Sequence, residues 1–255
     1  MKKIQKYAMA FLMGAISLGF TSCSDNDDPV NNETVTISKS EMQTVTQSYV
    51  DNVVYPTYKD LASNARVLYA KAQALYTAAS NGTMSQADID AACEAFKDTR
   101  CQWERSEAFL YGSASNNDLD PHIDSWPLDH DELVKALNNP TLIAGFKSSD
   151  PAKFVSENNT KFQSVLGFHG MEYVLFRNGA NRTVKDLSGN DTEEGMTSVK
   201  GIDELAFLQA VAGDQSPHQG RSKLRDNQPS LRWHGKRERH VLWHIPSHSI
   251  VNNRL

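Results

Sequence analysis

The sequence predicts an all-α protein, an up-and-down helical bundle. Three observations carry that prediction. Apolar residues recur at alternating steps of three and four over long stretches, cap patterns and Gly stops divide those stretches, and no strand-like alternation persists anywhere. Helices packed on helices are then the remaining layer arrangement.

The chain begins with an export signal. Lys2, Lys3 and Lys6 precede an apolar run from Tyr7 to Phe20 that only Ser17 and two glycines interrupt. A bilayer-spanning helix needs about 20 apolar residues, so the run has the length of a signal-peptide core instead. It ends Phe20-Thr21-Ser22-Cys23, the small-residue-then-cysteine pattern of a lipobox. Residues 1–22 therefore read as a lipoprotein signal peptide, Cys23 as the lipid attachment site, and 23–38 as an acidic tether. Ser24-Asp25-Asn26-Asp27-Asp28 resembles the acidic tract of outer-membrane surface lipoproteins. The expected location is the cell envelope, as an outer-membrane lipoprotein, periplasmic or surface-exposed, held to the membrane by its N-terminal lipid.

The helical domain is expected over 39–214. Ser38 and Glu41 fit a capping box. Met42, Val45, Tyr49 and Val53, then Leu61, Ala65, Leu68, Ala72, Leu75 and Ala79, mark one face of a long helix that Pro56 should kink or split. Asn81-Gly82 stops it. Ser85 and Asp88 open a second helix running to about Leu110, with Ile89, Ala92, Phe96, Trp103 and Leu110 as its stripe. Cys93 and Cys101, eight residues apart on that helix, are about 12 Å from each other, too far for a disulfide, and both read as small core residues. Residues 113–127 read as a loop, with a short helix from about Asp129 to Leu137 and another opening at Asp150-Pro151. The apolar stretch Gly167–Phe176 ends in Arg177-Asn178-Gly179, which reads as a helix C-terminus. Polar loop fills 180–200, and one more helix starts near Ile202.

Charge is unevenly spread. From Ser24 to Asp214 there are 15 Lys+Arg against 29 Asp+Glu, which argues against nucleic acid as a partner. From Gln215 to Leu255 there are 8 Lys+Arg against 2 Asp+Glu, with 5 of the 8 histidines. Charge, histidine density and helical period change together near Asp214. Residues 215–255 thus read as a basic tail, out of frame or disordered.

Three segments could carry chemistry. In Gly167-Phe168-His169-Gly170-Met171-Glu172, His169 and Glu172 stand three apart and share a helix face. Phe168, Met171 and Leu175 should face the core beside them. An imidazole and a carboxylate at a core boundary can hold a metal ion. In Trp103-Glu104-Arg105-Ser106-Glu107, Glu104 should pair with Arg100 at the surface, whereas Glu107 falls on the apolar side and needs a cation or metal partner. The segment Asp120-Pro121-His122-Ile123-Asp124-Ser125-Trp126-Pro127 is the third, an acidic loop with an embedded tryptophan.

Together these segments resemble the imelysin family. Gly167-x-His169-x-x-Glu172, followed by Tyr173-Val174-Leu175-Phe176, is similar to that family's GxHxxE motif. Trp103 to Gly112 and Asp124-Ser125-Trp126-Pro127-Leu128-Asp129 are similar to two further family segments, so the resemblance covers roughly 40–212. It implies the first bundle of a two-bundle helical protein, the second bundle having no counterpart here. It also implies a divalent metal, iron or else zinc, at His169 and Glu172, to which Glu107, as the acid on an apolar helix face, is the expected third group. The implied role is a metal-binding or small-ligand-binding lipoprotein of iron uptake. The alternative it carries is a metallopeptidase acting on peptides such as insulin, but Tyr173 stands where an H-x-x-E-H zinc motif needs its second histidine.

Overall fold

The computed structural model describes residues 37–111, 113–116 and 119–216. The signal segment, Cys23, the tether up to residue 36 and the tail from 217 onward lie outside the described residues.

Helix α1 (Lys39–Tyr49) passes through a π-helical turn at Val50–Val54 into α2 (Tyr55–Ser80) with helical backbone throughout. Pro56 sits in the first turn of α2. A proline ring clashes with the carbonyl four residues back, and the wider turn just before it accommodates that without a break. Helix α2 buries Leu61, Ala65, Leu68, Ala72 and Leu75 of the expected stripe, with Tyr58 beside them, whereas Met42, Val45, Tyr49 and Val53, expected on the same face, are exposed. Helix α3 (Gln86–Ser106) opens on a true capping box: the Asp88 N–H donates to Ser85 Oγ at 3.3 Å and Asp88 Oδ2 accepts from the Ser85 N–H at 2.9 Å. It packs along α2 and ends at Ser106 in a 3-10 turn, Glu107–Phe109. Of its cysteines only Cys93 is core; Cys101 is exposed, because eight residues of helical turn carry it off the buried face.

The expected loop holds two short helices, α4 (Ser113–Asn116) and α5 (Leu119–Ile123). Then come α6 (His130–Leu137), α7 (Pro140–Phe146) and α8 (Pro151–Asn158), whose first turns are capped by the side chains of Asp129, Asn139 and Asp150. Helix α9 (Gly167–Leu175) follows. Here the sequence reading needs correcting: Asn178-Gly179 does not end a helix but turns a two-residue hairpin. Strand β1 (Phe176–Arg177) pairs antiparallel with β2 (Ala180–Asn181), and Asn178 (φ 52) and Gly179 (φ 76) supply the two positive φ values such a turn requires. A one-turn helix, α10 (Val184–Leu187), precedes α11 (Gly201–Gln215).

Helix α11 is the centre of the domain. The helix expected to start near Ile202 runs to Gln215, and every residue from Glu204 to Gly213 is buried, against α2, α8 and α9. A helix buried on all sides shows no one-sided stripe in sequence. Its one buried carboxylate, Glu204 (0% exposed), faces Arg182 (3% exposed), whose Nη2 donates to Glu204 Oε2 at 3.1 Å. Asp191 and Arg177 complete the cluster, with Arg177 Nη2 3.1 Å from Asp191 Oδ2. This ties the hairpin and the 188–200 loop to α11.

Burial outweighs the Arg182 contact and pushes the Glu204 carboxyl up to about 7, while Asp191, held by Arg182 and Arg177 and by backbone N–H groups, stays below the carboxylate range. The raised Glu204 value means that its contribution to stability is complete at a pH below its unfolded value of 4.5 and is lost as pH rises through about 7. Urea midpoints measured from pH 4.5 to 8 should therefore show a decline that Glu204→Gln removes. Glu204→Ala should instead cost about 3 kcal/mol, because it takes from the buried Arg182 its nearest carboxylate and leaves it only Asp191, at 3.5 Å.

Candidate functional site

The site is assembled where the end of α5 crosses the start of α9. Gly167 has φ +80, and a Cβ there would overlap the Ile123 carbonyl oxygen. Only glycine lets the α5 backbone come this close, and the residue after Ile123 is Asp124. One turn further, a Cβ at Gly170 would overlap the Val165 carbonyl and press the Phe207 ring at 3.1 Å, so the same motif seats α9 on α11. Phe168, Met171, Val174 and Leu175 are buried on the inner face, leaving His169 and Glu172 at the edge.

His169 lies between two carboxylates. Its Nε2 is 3.0 Å from Asp124 Oδ1 and its Nδ1 is 3.3 Å from Glu172 Oε2, so the two predicted motif residues do meet. Asp124 is the anchor. Arg100 binds its Oδ1, and Trp103 Nε1 donates to its Oδ2 at 2.7 Å. Arg100 also reaches Glu104, as expected from their spacing, and lies over the Phe168 ring at 5.2 Å. Asp124 (8% exposed side chain) is held far more tightly than Glu172 (54%). The Trp126 ring stands 4.5 Å from that of His169 while remaining 73% exposed. Behind the site, His122 Nε2 meets Asp214 Oδ2 at 2.7 Å and clamps α5 to the last turn of α11; that hydrogen bond raises the His122 pKa against the opposing cost of burial.

Arg100, Asp124, Trp126 and His169, with Glu107 and Asp120, line an open cleft of about 580 Å³. Glu107 is in the cleft wall, but it is not the buried acid expected from a continuous helix. The α-helix stops at Ser106, and the tighter 3-10 turn swings Glu107 out to the surface. Partial loss of hydration, together with the charges of Glu104 and Asp124, raises its pKa.

The donor types suit a divalent cation: one imidazole with a carboxylate within hydrogen-bond reach of each of its two nitrogens. Their disposition is that of an ion-paired network. Arg100 and Trp103 hold both oxygens of Asp124, and among the described residues no three His, Cys, Asp or Glu side chains converge on one point where an ion could sit. Asp124 is therefore the residue that positions His169, while Glu172, whose side chain is 54% exposed, has room to turn toward a ligand. Sequence reasoning placed Asp124 in a segment of acids and prolines and Trp103 in the core. The available signal was that Arg100, Trp103 and Glu107 recur on one helix at steps of three and four, facing whatever that loop brings.

Comparison with known proteins matches residues 54–218 to the family model described as imelysin. Iron-regulated protein A of Synechococcus elongatus is 27% identical over 173 residues, which is 68% of this chain and 39% of that protein. A crystal structure from Parabacteroides distasonis, described as an iron-regulated protein A precursor, shares 28% identity with a TM-score of 0.54, covering 72% of this chain and 44% of that one. The chain thus spans about two fifths of the length of these relatives.

The close approach at Gly167 can be separated from simple backbone strain. Gly179 also has positive φ, but a Cβ there would meet open space. Gly179→Ala should cost about 1 kcal/mol and Gly167→Ala at least twice that, by urea denaturation. Equal costs for the two would show that the Ile123 contact does not set the site.

Proposed function

The chain belongs to the imelysin family, and from that membership we propose that it is an iron-related binding protein of the cell envelope whose ligand site is the His169 cleft. The observation that carries this reading is the motif histidine held at the mouth of an open cleft by a buried, doubly anchored carboxylate. A histidine oriented through one nitrogen by a fixed acid is the usual arrangement around a metal-binding imidazole. His169 and Glu172 are the residues that would hold a divalent metal, and Glu107 lines the cleft that His169 lines. The proposed metal is iron, which the names of both relatives support and which suits a histidine-and-carboxylate donor set. A bound ion would supply positive charge against the acids of the cleft.

Binding rather than hydrolysis is the reading favoured by Tyr173. It occupies the position of the second histidine in an H-x-x-E-H motif, and its hydroxyl donates to Glu193 at 2.7 Å and lies 3.1 Å from His130 Nε2. The residue is thus turned away into a structural network with Arg177, whose guanidinium carbon is 3.5 Å from the centre of the Tyr173 ring. We place the protein at the outer membrane, anchored by lipid on Cys23, because of the lysine-led apolar run and the small residues before that cysteine.

Calorimetric titration of the mature protein with ferrous iron under anaerobic conditions, and separately with zinc, tests the assignment. His169→Ala should weaken iron binding at least about tenfold, and Asp124→Asn by a smaller factor, as outer positioning groups do. Both variants should keep the wild-type urea midpoint to within about 1 kcal/mol. Unchanged iron affinity in a folded His169→Ala protein would refute the metal assignment.

A further inference from the structure

Five of the eight residues that line the His169 cleft come from one stretch of chain: Asp120, Pro121, Asp124, Ser125 and Trp126. That stretch is α5 and the residues just after it, so the cleft keeps its shape only while α5 keeps its place. Helix α5 has five residues, well below the roughly 12–15 at which a helix begins to persist in water by itself. Its position is therefore set by contacts with the rest of the domain.

Three of those contacts bear on the site, and they differ in kind. Just past the end of α5, Arg100 and Trp103 hold Asp124. At Ile123 the carbonyl rests against Gly167, a steric stop that limits how near α5 comes but does not pull it in. The third contact is His122, which with Ile123 stands outside the cleft lining and meets Asp214 Oδ2 through its Nε2 at 2.7 Å. The Asp214 side chain is only 7% exposed and belongs to α11, the helix around which the domain packs. A carboxylate so far removed from water needs a polar partner, and His122 supplies it.

We propose that His122 is a positioning residue for the ligand site: through Asp214 it ties the cleft wall to α11, and so sets the affinity of a site that it does not line. This rests on the reading of the His169 cleft as a metal-binding site and adds to it a residue outside the cleft. Held at Asp124 alone, the stretch could pivot about that end and carry Asp120 and Pro121 with it. The His122 bond lies two residues back along the chain and runs to a different helix, which removes the pivot. Asp124 Oδ1 is 3.0 Å from His169 Nε2, so any rotation of the stretch reaches the imidazole directly. Coupling carried through packed elements in this way changes affinity roughly threefold to thirtyfold.

Ferrous iron, titrated anaerobically into the mature protein by calorimetry, is the probe. His122→Leu should weaken binding roughly threefold or more. His122→Gln, whose side-chain amide can still donate to Asp214, should restore most of it. Because His122→Leu leaves Asp214 without its partner and lowers stability, the double variant His122→Leu/Asp214→Leu is measured beside it. An apolar pair in place of a buried polar one tends to keep stability but has no direction, so iron should bind as weakly as in the single variant. A merely structural role gives the reverse, affinity returning with stability. A second readout needs no metal: the ring-nitrogen signals of His169 in 15N NMR should shift in both leucine variants and return in His122→Gln. Wild-type iron affinity in either folded leucine variant overturns the proposal, as do unmoved His169 signals. If the wild-type protein binds no iron, the reading of the cleft fails, and the His169 signals alone decide for or against the coupling.

Discussion

Everything around the candidate site depends on the distance between two backbones. At Gly167 the chain enters α9 with a positive φ, and the Ile123 carbonyl occupies the space that any other residue would need for its Cβ. Because α5 can lie there, Asp124 arrives beside His169, and because Asp124 arrives, Arg100 and Trp103 on α3 have a carboxylate to hold. The glycine is thus as much a part of the motif as the histidine. It contributes no ligand. Its part is the absence of a side chain at the crossing of two segments more than forty residues apart in sequence.

The same crossing is held from behind by charge. His122 on α5 reaches Asp214 in the last turn of α11, and the Arg182–Glu204 pair fixes the other end of α11 to the hairpin that follows α9. Helix α11 therefore acts as a spine to which both sides of the site are attached. Placing ionised groups inside such a spine is costly, since desolvation is repaid only by close pairing. The Arg182–Glu204–Asp191 cluster shows the two outcomes together: Asp191, with two guanidiniums and backbone donors, is held below the carboxylate range, whereas the fully buried Glu204 is pushed up to about 7. The protein accepts that cost where three chain segments must keep one register.

Much of this was legible in the sequence, and the exceptions have physical causes. The stripes of α2 and α3, the Ser85–Asp88 box and the inward face of α9 follow from helical period and cap chemistry, and they appear as expected. The His169–Glu172 pairing follows from a spacing of three. The helix expected near Ile202 is present as α11, but its central place was not legible, because a helix buried on every side has no periodic signal. Asn178-Gly179 was ambiguous because positive φ serves both a helix end and a hairpin turn, and only the pairing partner decides between them. Glu107 was misplaced by assuming that α geometry continued past Ser106; a single 3-10 turn is enough to move a side chain from the core to the cleft. Asp124 was the hardest to read, since its importance depends on long-range contacts that no local pattern encodes.

The anchored carboxylate also explains how one histidine can serve both structure and ligand. Held through Nε2 by Asp124, the ring keeps one orientation, while Nδ1 faces Glu172, whose side chain is more than half exposed. A rigid partner on one nitrogen and a yielding partner on the other is a division of labour: the first fixes where the imidazole stands, and the second can be displaced or recruited by whatever enters the cleft. Trp126, 73% exposed against the ring, adds an apolar wall at the entrance. Large exposed apolar surface next to a polar cleft is characteristic of a place where something binds. The sequence motif gives the histidine and the glutamate; the folded chain adds the fixed acid, the cation behind it and the exposed ring in front, and it is this set that gives the motif a direction in which to act.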